Sequence, residues 1–154
     1  MAIANTVENY LQSNRISYSV VPHPHTWSNK ESAQSAHVPV GQMAKAVVLV
    51  DKEGYLMVVL LSDRHVDLLM LSQALGRDLT LAPEYRIATI FTDCELGAIP
   101  PLGPAYGVTT LLDDSLVGQS EIYFEAGDHE EVICVDGEQF LVLLNKAMHG
   151  QFSH

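Results

Sequence analysis

Ala44-Lys45-Ala46-Val47-Val48-Leu49-Val50 runs into the polar turn Asp51-Lys52-Glu53-Gly54 and then into Tyr55-Leu56-Met57-Val58-Val59-Leu60-Leu61. Two runs this apolar, joined by a turn that ends in glycine, predict a hairpin with strands over residues 46–50 and 55–61. Neither run alternates, so both faces are expected to be covered, as in the middle of a layered domain. Lys45 is the only charge between residues 43 and 50. A lysine entering a buried strand either lays its stem along apolar surface and reaches water, or aims its ammonium into a cleft. Partial burial in a cleft would lower its pKa and suit it to substrate anchoring or acid/base work.

Upstream, Ile3, Val7, Tyr10 and Leu11 recur at helical spacing. Residues 18–21 read as a short strand stopped by Pro22 and Pro24. Ser28-x-x-Glu31 has capping-box spacing and predicts a short helix to about His37, before Pro39 and Gly41 break the chain. Downstream, a helix is expected from about Asp67, with Leu68, Leu69, Leu71 and Leu75 apolar and Gly76 as its stop. Residues 79–81 suit a strand, and Pro83 opens a helix through Ile90. Residues 97–104 are a loop. Strands follow over 108–112, 122–125 and 132–135. Asp136 is placed to cap a last helix carrying Phe140, Leu141, Leu144 and Met148 and ending near Gly150. This mixture of elements predicts an α/β (mixed α+β) fold: one domain over residues 1–154, with a central mixed, mainly antiparallel sheet surrounded by helices.

A chain of 154 residues, 47% hydrophobic and 18% charged, can bury a core without staples and is not a disordered polymer. No apolar run approaches the roughly 20 residues that span a bilayer. The first residues lack a basic segment followed by a long apolar stretch, so no secretory signal is expected. Cys94 and Cys134 form no C-x-x-C pair and are expected to be free thiols. A cytoplasmic location follows. Eight Lys+Arg against nineteen Asp+Glu leave a net charge of −11. That argues against extended, tight binding to nucleic acid, which depends on neutralising phosphates. It leaves room for a site that grips only the end of a polynucleotide.

Two further segments are candidates for chemistry. Gly97-Ala98-Ile99-Pro100-Pro101-Leu102-Gly103-Pro104 has almost no side-chain polarity. Its prolines fix the backbone and its glycines permit unusual dihedrals, so its contribution would be main-chain N–H groups, which can stabilise an oxyanion, or simply a rigid connection. Glu125-Ala126-Gly127-Asp128-His129 places a titratable ring after small residues, as a pocket wall with a polar tip or as an ordinary turn. His23 and His25 are close in sequence, but no recognised metal-ligand spacing is present, and there is neither a G-x-S-x-G elbow nor a P-loop.

The order of these features resembles the YbaK-like family, the prolyl-tRNA-synthetase-associated aminoacyl-tRNA editing domains. The features are Lys45 entering a strand, then residues 62–68, then Gly97-x-x-Pro100-Pro101-x-Gly103, then residues 123–129. His25-Thr26 and the helix from Ser28 to Ala36 are similar to the family's entry segment, and the likeness runs from about residue 18 to residue 145. The resemblance implies hydrolysis of the ester joining an amino acid to the terminal ribose of tRNA. It implies Lys45 and His129 as catalytic residues. Thr26, Ser28, Gly97, Ala98, Ile99, Pro100, Pro101, Gly103, Ala126 and Gly127 would be substrate-binding. No metal or other cofactor is implied, and the substrate's own ribose hydroxyl would help place the water.

The chemistry is reasonable on physical grounds. An aminoacyl ester is already activated, so a positioned water, oxyanion donors and a cation suffice. Pocket size would set the selectivity, favouring a small amino acid of the alanine, serine or cysteine class. The expected partners are the acceptor end of an aminoacyl-tRNA, held weakly or transiently, and an aminoacyl-tRNA synthetase or elongation factor, with no DNA and no membrane. Two other readings stay open: a non-catalytic module of the same fold that binds a small molecule or protein partner, and a metal-dependent hydrolase built on His23 and His25.

Overall fold

The computed structural model describes residues 3–154, which form five α-helices and eight strands. In chain order these are α1 (Asn5–Ser13), β1 (Tyr18–Pro22), α2 (Asn29–Ser35), β2 (Ala44–Asp51), β3 (Gly54–Leu61), α3 (Leu68–Leu75), β4 (Thr80–Leu81) and α4 (Glu84–Ile90). There follow β5 (Thr109–Asp113), β6 (Glu121–Glu125), β7 (Glu131–Asp136), α5 (Gly137–Leu143) and β8 (Met148–Gly150), with short 3-10 turns between.

β2 and β3 form the predicted hairpin, paired from Ala44↔Leu61 to Asp51↔Gly54. They lie inside a five-stranded sheet of order β4-β2-β3-β5-β8, antiparallel at β4, β2 and β3 and parallel where β5 joins β3 and β8 joins β5. A second, wholly antiparallel sheet has the order β1-β7-β6. A single bridge between Met43 and Tyr123 links the two. The architecture is thus mixed and largely antiparallel, with its strands divided between two sheets.

The unbroken hydrophobicity of the hairpin has a direct cause. Val48, Val50, Met57 and Val59 face one core cluster with Phe91, Phe124 and Phe140, while Leu49, Leu56, Val58 and Leu60 face another with Leu71, Leu79 and Phe152. Both faces are covered, so neither can be polar. The helix signals operate as written. The Ser28 hydroxyl accepts from the Glu31 N–H at 3.2 Å, the Asp67 carboxylate from the Met70 N–H at 3.1 Å, and Gly76 ends α3 with φ +64°.

The last helix is shorter than expected. α5 stops at Leu143, and Met148 lies in β8, whose residues pair with Leu111 to Asp113 of β5. The apolar spacing of Leu144 and Met148 suits a helix, but an open strand edge offers three residues a backbone ladder, and tertiary pairing outweighs weak local propensity.

Candidate active site

The site is built where β2 loses its neighbour. β4 pairs only with Leu49 and Val50, and the Ala82 N–H adds a bond to the Val48 carbonyl. Beyond that point the edge of β2 is open. Its outward-facing positions alternate, and Val48 is one of them, so Ala46 and Ala44 fall in the same phase. The Ala44 carbonyl accepts from Asn29 Nδ2 at 3.4 Å, which leaves the Ala46 backbone facing the gap. The gap is a cleft of about 210 Å³. Lys45, Ala46 and Val48 form its strand wall, Glu84 and Ile87 come from α4, and Leu96, Gly97 and Ile99 come from the loop, with Asn29 and Glu125 completing it.

Lys45 is half-buried and its Nζ donates to the Ser62 carbonyl at 3.2 Å. Burial lowers its pKa; Asp63 opposes the shift and Lys30 adds to it. Strand alternation puts its stem on the same face as Val47 and Leu49, so it also borders a second hollow of about 260 Å³ lined by His65, Val66, Leu68 and Leu81. The ammonium therefore stands at the boundary of two hollows.

His129 lies behind the cleft, 2% exposed beside a Glu125 that is 1% exposed. Its Nδ1 is 3.2 Å from Glu125 Oε1 and its Nε2 is 2.8 Å from the Leu96 carbonyl. A carboxylate and a carbonyl are both acceptors, so the imidazolium form donates to both. The hydrogen bond His129 donates to Glu125 accordingly raises its pKa, against the opposing effect of burial. Neither nitrogen is free for a substrate in this arrangement. The ring instead backs the loop: a Cβ on Gly97 would sit 3.2 Å from His129 Nε2, and Gly97 has φ +83°, a conformation that favours glycine.

The remaining expected residues divide into a lining and a support. Gly97 and Ile99 line the cleft. Ala98, Pro100, Pro101 and Gly103 are buried behind it. A side chain on Gly103 would collide with Thr110 and Val108. Ala126 and Gly127 lie beneath the loop: the Ala126 carbonyl accepts from the Ala4 N–H at 2.8 Å, and the Gly127 N–H donates to the Ala98 carbonyl at 3.0 Å. Thr26 is also a support, with its N–H on the His129 carbonyl at 3.0 Å and its hydroxyl 2.6 Å from Ser32. Ser28 caps α2. Asn29, Glu84 and Ile87 carry no local motif that would have marked them; the docking of α2 and α4 brings them in.

His23 and His25 do not converge. His23 Nδ1 meets the Pro24 carbonyl at 2.8 Å, while His25 Nε2 is 3.2 Å from Glu95 Oε2. No group of three or more His, Cys, Asp or Glu side chains placed to hold a metal occurs among the described residues. Cys94 and Cys134 are free thiols, and no described helix is long and apolar enough to cross a membrane.

The site is thus a half-buried lysine over an open strand edge in a mixed two-sheet α/β domain, as the resemblance to YbaK-like domains implies. Solved structures share the fold. Hypothetical protein APE2540 superposes with a TM-score of 0.84 at 16% identity, over 97% of this chain and all of that one. A candidate trans-editing enzyme for prolyl tRNA synthetase gives 0.80 at 23% identity, over 97% of this chain and 95% of that one. A candidate signal transduction protein from Marinobacter aquaeolei VT8 gives 0.77 at 22% identity, over 99% of this chain but 31% of that longer one. Among curated proteins there is no significant match. The chain belongs to the aminoacyl-tRNA editing domain family, whose model matches residues 23–143.

Proposed function

We propose that the chain is a free-standing deacylase that hydrolyses the ester of a small amino acid, of the alanine, serine or cysteine class, mistakenly carried by tRNA. The observation that carries this reading is Lys45, a partly dehydrated ammonium with one carbonyl partner at the mouth of a cleft. Family membership supplies the substrate class. The structural neighbour described as serving prolyl tRNA synthetase supports a role in trans, correcting the product of that synthetase.

The cleft suits the chemistry. Water adds to the ester carbonyl, charge gathers on its oxygen, and the bond to the ribose oxygen breaks as that oxygen takes up a proton. The Lys45 cation and backbone N–H groups of Gly97, Ile99 and Ala46 are candidates to face the developing charge. His129 acts as a positioning residue, holding Leu96 and Gly97 in place. Lacking an unengaged imidazole, the site would rely on the ribose hydroxyl beside the ester to place the water. A volume of about 210 Å³ falls below the 300–1,000 Å³ common for drug-sized ligands, which favours a small side chain.

The experiment is a panel of tRNAs charged with alanine, serine, cysteine and larger amino acids, assayed with wild type and Lys45→Ala at several salt concentrations. Lys45-dependent hydrolysis confined to the small residues, with a shallow salt slope from few phosphate contacts, is expected. Binding without hydrolysis, unaffected by Lys45→Ala, would replace this reading with the non-catalytic module.

A further inference from the structure

Trp27 is the chain's only tryptophan, and at 77% exposure it is the most solvent-exposed large apolar side chain among the described residues. Leaving an indole in water forgoes a large burial gain, so its position calls for a physical reason. The ring is not loose. His25 packs against it edge to face, with centroids 4.6 Å apart and planes at 74°. His25 is itself held by Glu95 at 3.2 Å and stands 5.8 Å from the His129 ring. The same Glu95 carboxylate accepts from the His129 N–H at 3.2 Å, so the indole's support is continuous with the back wall of the cleft.

Its location is equally specific. The Trp27 carbonyl lies 3.4 Å from where a Cβ on Gly97 would sit, and Asn29, two residues on, lines the cleft. Residue 27 therefore belongs to the rim, and its indole is exposed there.

We infer that Trp27 is a stacking platform for the unpaired 3′-terminal base of the aminoacylated tRNA. The inference rests on the deacylase reading. If the ester lies between Lys45 and Gly97, the base attached to the same ribose must leave the cleft one sugar away, over the rim. A flat, rigidly backed aromatic surface is what a single-stranded base binds. Stacking also answers the charge problem. A protein of net charge −11 cannot rely on neutralising phosphates, and a π-face contributes affinity without any cation.

Because Trp27 is the sole tryptophan, tryptophan emission, excited selectively over the tyrosines, reports on this position alone. The probes are the trinucleotide cytidyl-cytidyl-adenosine and the same oligonucleotide with an abasic 3′ residue. Quenching by the first and little by the second is expected. Trp27→Ala should raise KM for charged tRNA by roughly thirtyfold, the middle of the range expected for one stacked base. Its kcat and melting temperature should change little, and Trp27→Phe should recover most of the loss. Equal responses to both oligonucleotides, or an unchanged KM in Trp27→Ala, would overturn the platform. So would emission that shifts with protein concentration alone, which would mean that a second copy covers the indole. The two readings can fail separately. Base-dependent quenching without hydrolysis keeps the platform and removes the deacylase; Lys45-dependent hydrolysis indifferent to Trp27 does the reverse.

Discussion

β2 carries a charge at each end, and the chain treats the two oppositely. At the far end, Asp51 accepts two hydrogen bonds from Arg77, at 2.8 and 2.7 Å, and Glu53 approaches the same guanidinium at 3.5 Å. The guanidinium's hydrogen bonds hold the Asp51 carboxyl down at about 2. At the near end, Lys45 has one carbonyl at 3.2 Å and, among the described residues, no carboxylate in ion-pair range. Its ammonium has three donors, of which that bond uses one. A charge that serves the fold is closed by its own chain. The Lys45 charge bears a desolvation penalty with donors to spare, the pattern expected of a group held for a guest.

The comparison can be broken most sharply beneath the open end. His129→Ala would strand the buried Glu125 carboxylate and release the Leu96 carbonyl; a loss of about 3–5 kcal/mol in urea denaturation is expected, together with loss of activity. Because the folded His129 pKa is raised, its stabilisation is complete below the ordinary histidine value of about 6.5 and disappears as pH rises through the higher folded value. Wild-type stability should therefore decline on the alkaline side, and His129→Ala should lack that decline.

Next in size is Lys45→Ala. A fall in kcat/KM of about 100-fold or more is expected, the scale of losing one group that faces transition-state charge. Its melting temperature should stay level or rise, because a desolvated ammonium has been removed. A comparable loss of stability would make Lys45 a structural residue like Asp51 and erase the contrast.

Gly97→Ala should cost about 1–2 kcal/mol, since φ +83° is strained for any side chain and the new methyl would press on His129. Slower turnover should accompany it if the loop presents the donors. The smallest effect on catalysis belongs to Asp51→Asn, where activity should be unchanged. Its signature is thermal. A carboxyl depressed to about 2 contributes stability that is present above its unfolded value of about 3.9 and lost as pH falls toward 2. Melting curves between those limits should be flatter for Asp51→Asn than for wild type.

How much of this was legible in the sequence depended on the range of the interaction. Ser28, Asp67 and Gly76 announced their helix ends because caps act within one turn. The hairpin was legible because its turn and both apolar runs are contiguous. Met148 was read as helical because no local signal reveals an unpaired edge on β5. The same limit applies to the site. The order of Lys45, residues 97–103 and residues 126–129 picked out segments that line or back one cleft. It could not separate Gly97 and Ile99, which line the cleft, from Ala98, Pro100 and Ala126, which lie behind it. That division follows from which way each backbone turns after docking. Asn29 enters through the docking of α2 against β2, and Trp27 was passed over because exposure is invisible until neighbouring elements are placed.

The pairing of β1 with β7 carries a consequence for how the chain comes into being. Residues 18–22 wait for residues 131–136, and the His23 and Thr26 amides then continue the seam onto Glu130 and His129. During synthesis the β2–β3 hairpin and its lysine can emerge and collapse early, while the wall behind them does not yet exist. Closing so long a loop is slow compared with local structure. A nascent chain not yet extended through residue 136 would carry the cation before the wall behind it is in place, so competence should arrive late.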